Sequence, residues 1–129
     1  MPDVALVVDD SMVIRHTVSR FLEERGFVVE SASNGLEALE ILKRVRPALL
    51  ITDMQMPAMS GSELISVLKS KPETAAIPIL ILTGRSSGFD SKESRAEFTI
   101  FKDIDVQEQL EKALTAVANK ASKAKASGQ

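Results

Sequence analysis

The sequence predicts an α/β fold: a doubly wound, five-stranded parallel sheet with helices on both faces. Three observations predict it. Short apolar runs alternate with amphipathic stretches along the whole chain, the pattern of repeated strand–helix–strand units. The central runs are apolar on both faces, as strands covered by helices on each side must be. Acidic, hydroxyl or basic residues follow directly on four of the runs, so polar chemistry gathers at one edge of the sheet.

Each element has its own signature. "VALVV" (4–8) is rich in β-branched residues and too short for a helix. After "DDS" a helical stripe of Ile14, Val18, Phe21 and Leu22 follows, ended by Gly26 in the manner of a C-cap. "FVVESA" (27–32) reads as the second strand. Asn34 and Gly35 open a helix with Ala38, Ile41, Leu42 and Val45 inward, stopped by Pro47. "ALLIT" (48–52) is the third strand. Gly61 begins a helix carrying Leu64, Ile65 and Leu68, with Pro72 beyond its end. "IPILIL" (77–82) is the fourth strand, its proline tolerated only at the start.

Residues 83–98 offer only Phe89, Ala96 and Phe98 as core candidates, so a fourth helix there is expected to be atypical or partly disordered. "FTIF" (98–101) is a short fifth strand. Asp105 and Glu108 have capping-box spacing, and Val106, Leu110, Ala113, Leu114 and Val117 make an inward stripe. The domain is expected to span residues 1–119, and "KASKAKASGQ" (120–129), with three lysines and no acid, reads as a flexible tail.

Composition bounds the function. A chain of 129 residues suits one domain that buries about two thirds of its unfolded surface. Hydrophobic residues at 44%, charged residues at 26% and a net charge of −2 give no reason to expect direct nucleic-acid binding. The absence of cysteine excludes disulfides and thiolate metal sites. No apolar stretch approaches the roughly 20 residues that span a bilayer, and "MPDVALVVDD" meets its acids too early for a signal peptide. A cytoplasmic protein without membrane insertion is the simplest expectation.

Five strand–helix units allow the strand order 2-1-3-4-5, an order already established for sheets of this class, and ligands then sit where it reverses between strands 1 and 3. Asp9 and Asp10 end strand 1 and Asp53 ends strand 3, so three carboxylates converge on one crevice. Like charges this close repel unless something neutralises them. One reading is three solvated acids at strand ends. The other is a hard divalent cation, with magnesium suited to oxygen ligands, retained waters and a phosphate; the absence of histidine and cysteine from these strand ends argues against zinc. Thr83 ends strand 4 and Lys102 ends strand 5, a hydroxyl and an ammonium at the same edge, fit to cradle a phosphoryl group. Gly84 leaves room for the approach.

"VVDDS" (7–11), "LLITDMQMPAMSG" (49–61), "ILILTG" (79–84) and "FTIFK" (98–102) resemble the receiver domain of bacterial two-component response regulators, the CheY-like superfamily, whether stand-alone or excised. The resemblance runs to about residue 119, and the Asp-x-x-x-Pro-x-x-x-Gly spacing is its most specific part. It implies a flavodoxin-like fold and a set of roles. Asp53 would be the phosphoacceptor, taking a phosphoryl group from a phosphohistidine on a sensor histidine kinase or a histidine phosphotransfer protein. Asp10 would ligate Mg2+ directly, Asp9 largely through water, and the backbone carbonyl of Gln55 would supply another ligand. Lys102 would pair with Asp53 and then with the phosphoryl oxygens. Thr83 would move toward the phosphoryl group and carry the change to a downstream protein target. Pro57 and Gly61 would shape the loop. Such a domain modifies itself and is not a turnover enzyme.

Three departures concern the read-out side. Receivers usually have proline after the lysine, often with a cis bond, where this chain has Asp103. A cis bond before a non-proline residue costs about 2.5–4 kcal/mol, so a trans bond is expected. The usual aromatic three residues before the lysine is Thr99, with Phe98 adjacent, and residues 84–97 lack the usual apolar stripe. A degenerate receiver that binds a partner independently of phosphorylation is therefore the alternative. A haloacid-dehalogenase-type phosphohydrolase would need an acid where Gln55 stands. A flavin module would lack Trp or Tyr for stacking. His16 is expected on the outer face of the first helix, in solvent. Met54, Met56 and Met59 could form an adaptable surface or simply pack the loop.

Overall fold

The computed structural model describes residues 3–56, 58–84, 96–102 and 105–127, with side chains up to 118. The strands are β1 (Val4–Val8), β2 (Val28–Ala32), β3 (Leu49–Asp53), β4 (Ile79–Thr83) and β5 (Phe98–Phe101). The helices are α1 (Met12–Glu23), α2 (Gly35–Leu42), α3 (Gly61–Lys69) and α4 (Val106–Ser127). All described strand pairs are parallel, in the order β2-β1-β3-β4-β5. The expected α/β architecture is the observed one.

Strand parity explains the two-faced apolar runs, because successive side chains point to opposite faces. Leu6, Val8, Leu50, Ile79 and Ile81 pack with Ala38, Ile41, Leu42, Leu64, Ile65 and Leu68 of α2 and α3. Ala5, Val7, Leu49, Ile51, Leu80, Leu82 and Ile100 pack with Val18, Phe21, Leu22, Leu110 and Ala113 of α1 and α4. The sheet thus separates two cores.

The helices begin where short polar side chains replace missing backbone partners. Ser11 accepts a hydrogen bond from the Ile14 N–H at 3.3 Å and Asn34 accepts from the Glu37 N–H at 2.9 Å. Ser60 and Glu63 form a full capping box at α3, which the sequence reading had not picked out. Asp105 accepts from the Glu108 N–H at 3.2 Å. Past α1, Gly26 takes the left-handed conformation (φ 92°) that glycine adopts without penalty.

Several boundaries differ from expectation. β3 and β4 reach one residue further and include Asp53 and Thr83 themselves, because the parallel ladder continues past the apolar run. Residues 120–127, expected as part of a flexible tail, continue α4; alanine and lysine there are strong helix formers. The expectations for the fourth helix and the Lys102–Asp103 peptide lie outside the described residues. Among the described residues no helix is long and apolar enough to cross a membrane.

Candidate functional site

β1 and β3 are adjacent, with Val8 opposite Thr52, so the residues that follow are carried to one point at the carboxyl edge. Asp9, Asp10 and Asp53 each place a carboxylate oxygen there, all within 4.8 Å of one another. Asp9 is wholly buried and Asp53 is 4% exposed, while Asp10 faces solvent. The structure brings together the three acids singled out from the sequence.

Lys102 enters from the end of β5. Its Nζ lies 2.8 Å from Asp9 Oδ2 and 3.1 Å from Asp53 Oδ1, so the ammonium bridges two carboxylates. The resemblance pairs it with Asp53; the shorter contact is to Asp9. Asp9 Oδ2 has no well-directed hydrogen bond among the described residues, so the close lysine contact is an ion pair with poor alignment. Three carboxylates against this ammonium leave the pocket electronegative, with a buried oxygen short of donors and a ligand set made only of oxygen. That donor set fits a hard cation such as Mg2+.

The electrostatics agree. Burial pushes the Asp53 carboxyl above its ordinary range and the neighbouring Asp9 adds to this, against the opposing pull of Lys102 and the Gln55 N–H. Burial alone would lower Lys102, but its close ion pairs with Asp9 and Asp53 outweigh that and raise it. Protonated lysine is therefore held in place at neutral pH.

The remaining candidates lie at the same edge. Thr83 is buried at the tip of β4, one residue beyond Leu82, the register partner of Asp53. The Thr83 carbonyl accepts from the Lys102 N–H at 2.9 Å, tying the two strand ends together. The Gln55 N–H donates to Asp53 Oδ1 at 3.3 Å. A Cβ placed on Gly84 would meet open space.

Sequence reasoning missed two supports of Asp9. The Ser11 N–H donates to Asp9 Oδ1 at 2.8 Å and Arg15 Nη1 donates to the Asp9 carbonyl at 2.7 Å. The signal was available: a helix capped at Ser11 sets residue 15 one turn on, over the tip of β1.

The loop from β3 to α3 is tightly built. The Gly61 N–H donates to the Met54 carbonyl at 3.1 Å. A Cβ on Gly61 would lie 2.3 Å from the Asp53 carbonyl oxygen. Met54 is buried, and Met56 and Met59 pack on the core facing α2 and α3, so these methionines pack the loop. His16 is exposed, as expected. Ala58 has φ 69°, a left-handed backbone that costs a residue with a Cβ about 1–2 kcal/mol. Ala58→Gly is expected to raise stability by roughly 0.5–1 kcal/mol after glycine's entropy is counted. Urea unfolding should show a higher midpoint at an unchanged slope.

The response regulator receiver domain family matches residues 5–115. Response regulator MprA of Mycobacterium leprae is 42% identical over 82 residues, covering 64% of this chain and 35% of that protein. The chain thus spans about a third of the length of the curated relatives it matches. Chemotaxis response regulator CheY4 of Vibrio cholerae superposes with a TM-score of 0.79 at 33% identity, covering 91% of this chain and 99% of that one. The receiver domain of a signal transduction histidine kinase from Syntrophus aciditrophicus gives 0.80 at 32% identity, covering 91% of each chain. With the acid cluster and the bridging lysine at the edge where strand order reverses, the match over most of the chain establishes that it belongs to the response regulator receiver domain family.

Proposed function

We propose that the chain is a phosphoacceptor switch in a two-component phosphorelay, with Asp53 as the residue phosphorylated. The observation that carries this reading is the buried Asp53 carboxylate, grouped with Asp9 and Asp10 and bridged by Lys102. A carboxylate oxygen of Asp53 attacks the phosphorus of a phosphohistidine on a sensor kinase or phosphotransfer protein. The P–N bond breaks, the imidazole nitrogen keeps the electron pair and takes a proton, and Asp53 becomes an acyl phosphate. Such a transfer needs mainly positioning and charge neutralisation.

Asp10, Asp53, Asp9 and the Gln55 carbonyl would hold Mg2+, which when bound neutralises the acids and the phosphoryl oxygens. The receiver domain of sensor histidine kinase PA1611 of Pseudomonas aeruginosa carries a magnesium ion coordinated in its active-site cleft; its 17% identity makes that a precedent for the fold. In this chain Lys102 pairs with Asp53 before transfer and follows the new negative charge afterwards. Thr83 Oγ donates to the phosphoryl group, and its displacement alters the surface offered to a downstream protein. The expected setting is the cytoplasm.

Incubation with acetyl phosphate and magnesium should add one phosphoryl group to the native protein by mass spectrometry. The adduct should be absent from Asp53→Ala, and an adduct persisting there would move the site elsewhere. Magnesium alone should stabilise the protein, by about 2.7 kcal/mol at a hundredfold excess over the dissociation constant. Protons compete for Asp53 at a higher pH than for an ordinary carboxylate. The thermal shift should therefore shrink as pH is lowered, starting above the normal carboxylate range.

A further inference from the structure

The outer end of β5 is held by a side chain that neither the sequence reading nor the family roles include. The Lys102 N–H points to β4, where it donates to the Thr83 carbonyl. Alternation along the strand then turns both the N–H and the C=O of Phe101 away from β4, to the outer edge of the sheet. Gln109, on the first turn of α4, meets both groups. Its Oε1 accepts from the Phe101 N–H at 2.9 Å and its Nε2 donates to the Phe101 carbonyl at 2.8 Å. The same Nε2 also donates to the Asp105 carbonyl at 3.2 Å. One amide thus occupies the place of a neighbouring strand and at the same time ties Phe101 of β5 to Asp105 at the start of α4.

We propose that Gln109 is a positioning residue for Lys102, fixing the backbone from which the ammonium reaches Asp9 and Asp53. Lys102 immediately follows the clasped residue, and its side chain must cross from the outermost strand to a pocket between β1 and β3. A long, flexible side chain reaches such a pocket reproducibly only if its own backbone is fixed. The Thr83 bond holds it from the inner side and the Gln109 fork from the outer side. Leucine could fill the same helical position, but it would leave the edge of Phe101 to water and β5 free to shift outward at its tip.

The consequence for phosphorylation rests on the function proposed above; the consequence for lysine placement does not. In Gln109→Leu, the initial rate of phosphorylation by acetyl phosphate should fall roughly 10- to 100-fold, the size of effect that a small misplacement of a reacting group produces. In a Lys102→Ala background the same substitution should cause no further loss, because the group it positions is gone. Gln109→Glu, which keeps the acceptor for the Phe101 N–H and loses the donor, should fall between. It also serves should the leucine variant fail to fold.

A second measurement needs no phosphodonor. Nitrogen-15 NMR of the side-chain ammonium should show a slowly exchanging Lys102 signal in the native protein, broadened or lost in Gln109→Leu. Full additivity of the two substitutions, or an unchanged rate with an unchanged ammonium signal, would overturn the inference. A native protein that takes no phosphoryl group, but whose Lys102 signal depends on Gln109, would sink the proposed function and leave this inference standing.

Discussion

Asp53→Asn should abolish phosphorylation and, in the same experiment series, make the metal-free protein more stable than the native one. The first effect follows if Asp53 is the acceptor, since an amide is not a nucleophile at neutral pH. The second follows from charge. Asp53 binds its proton more tightly when folded than when unfolded, because burial and Asp9 both disfavour its ionised form. Ionised Asp53 is therefore a cost of folding. That cost is absent below the unfolded carboxylate range, grows as pH rises, and is complete above the raised folded value. Asparagine keeps the shape and removes the charge, leaving Lys102 with Asp9 at 2.8 Å. Thermal unfolding in chelator should show the mutant ahead at pH 7 and level with the native protein near pH 3. Magnesium should narrow the gap at pH 7, because the cation compensates the native cluster and the mutant has one carboxylate fewer to hold it. A native protein as stable as the mutant in chelator at neutral pH would contradict the electrostatic account.

Gly61→Ala should be among the most damaging single-methyl additions in the described part of the chain. The added carbon would meet the Asp53 carbonyl oxygen at 2.3 Å and Met54 Cα at 2.8 Å. Both obstacles are backbone, and β3 behind them is buried between two helical layers. Overpacking a closed site usually costs 1–3 kcal/mol; with two backbone atoms in the way, roughly 3 kcal/mol or more is expected here. The strand end that carries Asp53 must shift, so phosphorylation should slow in whatever fraction remains folded. Gly84 supplies the control. A Cβ there would meet nothing within 4 Å. Gly84→Ala should therefore cost clearly less in urea unfolding. Equal losses would mean that the crowding at Gly61 is relieved without a shift of the Asp53 backbone.

Much of this was legible in the sequence for a simple reason. Parallel strands covered on both sides are written as unbroken apolar runs, and the ligand edge is where those runs stop. Asp9, Asp10, Asp53, Thr83 and Lys102 all stand at such stops, so reading the strands also read the site. What escaped depends on partners far apart in the chain or on backbone direction. Nothing local shows that the Lys102 ammonium sits nearer Asp9 than Asp53, because that is decided by how far β5 is offset against β1. Gln109 looks like any polar residue on an exposed helical turn until the edge of β5 is placed beside it. Ala58 in a left-handed conformation contradicts the usual preference for glycine or asparagine there. The extension of α4 through residue 127 was written in its alanines and lysines; their lack of an apolar face obscured it.

The placement of β1 between β2 and β3 has a consequence for how the molecule assembles. Of the five strands of this sheet, the one earliest in chain order is an interior one: Val4 pairs with Val28 on one side and Ala5 with Leu49 on the other. Each parallel pairing must wait for an intervening helix, so the ladder closes slowly relative to the helices. Until residues around 49 have emerged and docked, β1 keeps an apolar ribbon with open hydrogen-bonding groups along one side, the kind of surface that recruits other chains. The strand that later bears Asp9 at its tip is, during synthesis, the segment that most needs shielding from its neighbours.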